Sequence, residues 1–390
     1  MPSGVRAWYV NRYEVLKQLM LDPRVSRDAR RHWPAWQRGE FRDTWVRAWV
    51  DPDSMLSSYG QDHKRLRKLV APAFTARRTA ALLPRVEQIT AGLLDEIAAQ
   101  AERPETGGVV DLRPTYAHLL PMNVICELFG VPAEQRPEMK RVVATAMDTT
   151  LTPEQAGQLA VDMHAAFTAL VEAKRRQPGE DLTGVLVCAR DDDGSRLSEK
   201  ELLDTLLLMI AAGHETTVNL IGNAVHALLT HPEQLRLVLD ARATSATSAT
   251  WATWATWDAV IDETLRWAPS VSNVPLRFAV EDIVLPDGTT IRQGEAILTT
   301  IGSANRDPAK YGADAGSFDV RRRAPEHLSF GHGVHFCLGA SLARMEARTA
   351  LSALFDRFPK LALAVPAGEV AQVPSCIAQG HARLPVRPLG

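Results

Sequence analysis

Paired cysteines are missing. The 390-residue chain has four, Cys126, Cys188, Cys337 and Cys376, with no C-x-x-C among them, which excludes the common zinc and dithiol motifs. Three of them read as small buried hydrophobes; Cys337 does not. A charge excess is missing as well: 44 basic against 46 acidic side chains give a formal net charge of -2, a poor match to the polyanionic surface of nucleic acid. No apolar run reaches the roughly 18 residues of a membrane span, and the opening residues MPSGVRAWYVNRYEVL hold no signal-peptide core. We expect a soluble, cytoplasmic protein with no nucleic-acid and no membrane partner. Neither βαβ alternation nor a glycine-rich phosphate loop occurs, so nucleotide-binding sheets drop out.

What is present is mostly helix. Apolar residues recur at helical spacing in RYEVLKQLML, in LLPRVEQITAGLLDEIAAQ, over residues 198–229 and in LGASLARMEARTALSALFDRF. Strand-like alternation comes late, in LRFAVEDIVLPDGTTIRQGEAILTT, where PDG marks a hairpin turn. A hydrophobic content of 46% suffices for one large core. We expect a single domain over residues 1–390, mostly α with a small β part. Residues 243–257, ATSATSATWATWATW, are consecutive triplets, and removing four of them leaves DARATWDAVIDETLR, an unbroken entry into the next helix. They read as a tandem expansion inside a surface loop, where insertions cost little. The competing possibility is an exposed contact surface made by Trp251, Trp254 and Trp257.

The densest chemistry lies at residues 330–339, FGHGVHFCLG. A thiolate that ligates a metal has to be kept ionised in a half-buried place, which calls for N–H dipoles around it. Gly331, Gly333 and Gly339 permit tight turns with amides aimed inward, and Cys337 stands just ahead of a helix whose N-terminal end favours negative charge. Zinc would recruit His332, His335 and Cys337, but these share one short loop with no fourth ligand close by.

Phe330, Gly333, His335, Cys337 and Gly339 match F-x-x-G-x-H-x-C-x-G. The chain thereby resembles the cytochrome P-450 superfamily, the haem-thiolate monooxygenases, and specifically the bacterial type of actinomycete secondary metabolism. The resemblance implies the cytochrome P-450 fold, a triangular helical prism with haem b (iron protoporphyrin IX) between a distal and a proximal helix. It makes Cys337 the axial iron ligand, sets His335 against a haem propionate and packs Phe330 near the sulfur, with Gly339 completing the loop. His332 has no implied role. The likeness runs from VNRYEVLKQLMLDPRVS nearly to the C-terminus, and the family's usual first helix and first strand have no counterpart.

Further family marks follow in order. AAGHETT lies inside the long helical stretch and resembles the distal oxygen-binding motif. Gly213 removes a side chain where that helix would press on a flat cofactor. Thr216 can bond its hydroxyl to the preceding turn and loosen the helix there. Glu215 and Thr216 then resemble the acid and alcohol pair that passes protons inward through water. ETLR sets Glu263 and Arg266 three residues apart on one helix face, and FDVRR makes Arg322 the third member of a structural ion cluster. HKRLR carries His63 and Arg67 at the spacing of the family's propionate-binding helix, and Arg277 in VPLRFA stands where another propionate-binding arginine is expected. NRDP, at residues 305–308, is a further family turn.

The resemblance implies insertion of one atom of O2 into an apolar small molecule, a macrolide, steroid-like compound or other natural product, by hydroxylation or epoxidation. Electrons would come from a ferredoxin and a ferredoxin reductase, because the chain has no room for a flavin domain. Arg344 and Arg348 could supply positive charge on the docking face. A haem-thiolate oxidase coupling aromatic or cyclic dipeptide substrates through radicals would look nearly the same in sequence. A non-enzymatic haem sensor or carrier would have no use for Glu215 and Thr216. By family geometry the substrate pocket draws on RHWPAWQRGEFRDTW, residues 208–213, SVSNVP and SCIAQG, with Trp33, Trp36 and Trp45 as aromatic walls.

Overall fold

The computed structural model describes residues 1–146, 153–190, 194–244, 257–322 and 326–390. The chain divides into two compact units. The first comprises residues 1–25, 84–121 and 216–390, the second residues 26–83 and 122–215.

In the first unit, strand Trp8–Val10 lies parallel to Ala296–Thr299. That strand pairs antiparallel with Val274–Ala279, the register shifting between Val274 and Arg277. The hairpin expected around PDG is present: Ile283–Val284 pairs antiparallel with Thr290–Ile291, and Gly288 takes the left-handed conformation at φ 85° that such a turn needs. Helix Tyr13–Leu21 turns its i, i+3, i+6, i+7 face, Tyr13, Leu16, Leu19 and Met20, into a core shared with Ile283, Ile291, Ile297 and Leu328. Its first amide is capped from a distance, Tyr13 N–H donating to Asp307 at 3.0 Å. Helix Ala340–Arg357 buries Ala347, Ala350, Leu351, Leu354 and Phe355.

Phe355 also receives Trp257, whose ring stacks on it at 5.6 Å. Trp257 is buried and opens helix Trp257–Trp267, so the last residue of the repeat feeds the core rather than an exposed contact surface. The rest of the repeat, with Trp251 and Trp254, lies outside the described residues.

The second unit is helical. Gly60–Val70 buries His63, Leu66, Leu69 and Val70. Leu182–Cys188 starts under Asp181, whose side chain accepts the Gly184 amide, and Lys174 pairs with the same carboxylate at 2.5 Å. Trp33 stacks on Phe41 at 5.3 Å and on Trp36 at 6.4 Å, and both tryptophans are buried. Both are covered by protein, and Trp45 is half-buried. Cys126 is buried as anticipated, but Cys188 and Cys376 are exposed. Among the described residues no helix is long and apolar enough to cross a membrane.

Candidate active site

The cysteine loop is a closed turn of the first unit. Cys337 N–H donates to the Phe330 carbonyl at 2.8 Å, Gly331 N–H to Leu328 at 2.8 Å and Phe336 N–H to Gly333 at 3.0 Å. Gly333 is required twice over. Its φ is +70°, and a side chain there would come within 3.0 Å of Leu21 Cδ2 and 3.1 Å of the Met20 carbonyl. Gly339 stands at the cap of helix Ala340–Arg357, and a Cβ on it would sit 3.9 Å from the Cys337 sulfur. An exposed thiol thus lies directly before the positive end of an 18-residue helix, a setting that favours its thiolate. His335 ends the short turn Gly333–His335 within the same loop.

Phe330 is half-buried beneath a cation, the Arg344 guanidinium lying 5.2 Å from its ring centre. Arg344 also pairs with Asp262. Burial alone would raise the Asp262 carboxyl, but His327 and Arg344 outweigh it and hold it below the usual range. His327 accepts the Ser329 N–H at its Nδ1 and turns Nε2 to within 3.5 Å of Asp262. Arg348 is tied to Asp258, Nε to Oδ1 at 2.9 Å. Both arginines expected to supply docking charge therefore face a carboxylate of helix Trp257–Trp267, which cancels much of that charge.

The ETLR arginine is the largest fully buried side chain. Arg266 grips Glu263 with two bonds of 2.7 Å and spends its remaining donors on the carbonyls of Asn305, Ala315 and Ser317. Glu263 also accepts the Asp319 N–H at 2.9 Å, and Arg322 Nε approaches it at 3.5 Å. The structure brings Glu263, Arg266 and Arg322 together. Asn305, which sequence reasoning passed over as part of a familiar turn, extends this cluster to the cysteine loop. Its Oδ1 accepts the Leu328 N–H and its Nδ2 donates to Ser329 Oγ, each at 2.9 Å.

Arg277, in strand Val274–Ala279, is buried too, but Nε has no hydrogen-bond partner among the described residues. Burial pushes its guanidinium down to about 10. A cation held in that way fits an anionic group, and a thiol at a helix N-terminus fits a soft metal. Together these are the donors that haem, with its iron and its propionates, requires.

Elsewhere the predicted residues fall as follows. His63 is buried and Arg67 half-buried on one face of helix Gly60–Val70 in the second unit. Gly213, Glu215 and Thr216 follow one another in helix Glu199–Thr230, with the division between units falling after Glu215. Gly213 is exposed, and a Cβ there would meet only Ile125 at 3.8 Å. Glu215 and Thr216 are half-buried.

A family model for cytochrome P450 matches residues 152–363. The 2-hydroxy-5-methyl-1-naphthoate 7-hydroxylase of Streptomyces carzinostaticus is 40% identical over 387 residues, covering 99% of this chain and 90% of that protein. The chain belongs to the cytochrome P450 family. The 6-deoxyerythronolide B hydroxylase of Saccharopolyspora erythraea is also 40% identical, over 98% of this chain and 91% of its own length. The solved structure of CYP154A1 from Streptomyces coelicolor A3(2) superposes with a TM-score of 0.86 at 49% identity, covering 98% of this chain and 92% of that one. The fold is thus the mostly α, small-β fold of P450s, and the cofactor is haem. The chain is a monooxygenase that draws electrons from a redox partner and uses O2; radical coupling is not favoured.

Proposed function

We propose that this P450 hydroxylates a bulky, largely apolar natural product, with Cys337 as axial ligand. The observation that carries the assignment is the closed 330–337 turn, which sets the Cys337 thiol at the start of helix Ala340–Arg357. A thiolate-ligated haem supplies activation of dioxygen, because the thiolate pushes electron density onto iron and favours O–O cleavage. The chain does the rest. Arg277 and His335 of the first unit would neutralise haem propionates and Phe330 would shield the sulfur; by the family resemblance His63 and Arg67 of the second unit would also serve the propionates, and Gly213 would leave its helix open. Glu263, Arg266 and Arg322 brace the fold behind the cysteine loop.

Thr216 would hold a proton donor for the oxygen being activated, and Glu215 would resupply it from solvent. Thr216→Ala should therefore keep substrate binding and reductant consumption while product falls and hydrogen peroxide rises. Glu215→Gln should slow reductant consumption and product together. Full coupling in Thr216→Ala would remove that residue from the catalytic set.

The relatives above act, by their names, on a naphthoate and on 6-deoxyerythronolide B, which supports a polycyclic or macrolide-like substrate. The electron donor is a ferredoxin served by its reductase, in the cytoplasm. The test is a panel of such compounds with spinach ferredoxin and ferredoxin reductase under isotopically labelled dioxygen. A product carrying one labelled oxygen is expected; a coupled product without label would replace the monooxygenase with the radical oxidase.

A further inference from the structure

Residues 270–275 and 375–380 of the first unit, both assigned to the pocket by family geometry, are laced together. Ser272 N–H donates to the Ile377 carbonyl at 2.8 Å and Gln379 N–H to Ser270 at 3.0 Å. Ser272 Oγ reaches Gln379 Oε1 at 2.6 Å, and Asn273 Nδ2 reaches the Cys376 carbonyl at 2.6 Å. This pair of segments is then pinned to helix Glu199–Thr230. The buried Asn223 amide donates to the carbonyls of Ala268 at 2.9 Å and Gln379 at 3.0 Å.

One turn earlier on the helix the approach is closer. A Cβ on Gly380 would lie 2.1 Å from Asn219 Oδ1, 2.6 Å from its Cγ and 3.2 Å from its Cβ. Gly380 has no positive φ to explain the glycine, so space alone demands it. Asn219 cannot simply swing aside: it is buried, and its Oδ1 accepts a charge-assisted bond from Arg113 Nη1 at 3.1 Å. Thr216, Asn219 and Asn223 are spaced i, i+3, i+7 and share one helix face. The anchors therefore continue the face that carries Thr216, Asn219 lying about 4.5 Å further along the axis.

We propose that Asn219 and Gly380 form a positioning pair that sets how close the 375–380 turn stands to the distal helix, and so fixes the size of substrate the pocket accepts. The proposal rests on the haem-site reading above, which places that turn in the pocket. Arg113 orients the amide, Gly380 supplies the notch into which it fits, and Asn223 holds the register. A methyl group at position 380 falls more than about 1 Å short of ordinary contact distance, so the turn has to move away from the helix.

The test uses purified holoenzyme and two haem ligands read by difference spectroscopy, imidazole and the bulkier 4-phenylimidazole. Gly380→Ala, by moving the turn away from the helix, should strengthen 4-phenylimidazole by about tenfold and leave imidazole within about twofold. Asn219→Ala should restore the ratio when combined with Gly380→Ala, because it removes the two contacts under 3 Å and leaves the 3.2 Å approach of Cβ. Asn219→Gln, which lengthens the amide toward an unchanged glycine, should shift the ratio as Gly380→Ala does and serves where that variant retains little haem. An unchanged ratio in both single variants, or a double variant that stays shifted, would overturn the pairing. Wild-type enzyme that shows no spectral response to imidazole would overturn the haem-site reading itself, and the pairing with it.

Discussion

Two arginines of the first unit are buried to nearly the same degree and live in opposite surroundings. Arg266 is met by both oxygens of Glu263 and by three backbone carbonyls. Arg277 has an Nε without a partner among the described residues, and its burial lowers the guanidinium to about 10. A buried charge is tolerable only when it is paired and hydrogen-bonded. Arg266 is complete within the polypeptide; Arg277 keeps a donor for a group outside it, as its proposed place at a haem propionate requires. The same side chain thus separates a structural position from a binding position by what surrounds it, where burial alone does not.

The comparison can be broken in four ways. Arg266→Met should cost the most, about 3–5 kcal/mol, because it leaves the buried Glu263 carboxylate with only the Asp319 N–H and a long contact to Arg322; urea unfolding of haem-free and haem-loaded protein should show the loss in both.

Next comes Glu346, an acid that burial pushes up to about 8, with Oε2 unpartnered among the described residues. Its folded value lies above its ordinary 4.5, so its contribution is full below about 4.5 and falls away as pH rises through about 8. Glu346→Gln should remove that alkaline decline by up to a few kcal/mol, measured as Tm against pH. A wild-type Tm flat from pH 5 to 9 would refute it.

Arg277→Met should leave haem-free protein as stable as wild type or more so, while haem transfer to apomyoglobin speeds up on the order of tenfold to a hundredfold, the worth of one charge-assisted bond. Equal haem loss in wild type and variant would put Arg277 with Arg266. The smallest effect belongs to Arg322→Gln, at most about 1 kcal/mol, since its 3.5 Å approach to Glu263 is long and its second partner, Asp314, is exposed.

The chemistry of the site was readable from sequence where it is local. The cysteine loop, the ETLR pair and the AAGHETT helix each place their groups within a few residues, so spacing alone implied the juxtaposition seen in the first two. The PDG hairpin was legible for the same reason. Long-range pairings were not. Nothing in a linear pattern shows that Asp258 and Asp262 neutralise Arg348 and Arg344, or that Gly380 is a glycine because of Asn219. Trp33 and Trp36 looked like pocket walls because aromatic residues in a loop suggest a ligand surface; in the structure Trp33 stacks between Phe41 and Trp36 inside their own unit. Cys188 and Cys376 departed from the burial typical of unpaired cysteine because each lies at the end of an element or in a surface turn.

The most direct measurement is the absorption spectrum of the dithionite-reduced protein under carbon monoxide, for wild type and for Cys337→Ala reconstituted with the same amount of haem. Wild type should show the strongly red-shifted Soret band of a thiolate ligand, and the variant should lose it while Cys126→Ala, Cys188→Ala and Cys376→Ala keep it. A red-shifted band that survives in Cys337→Ala would contradict the assignment of this cysteine as the haem ligand.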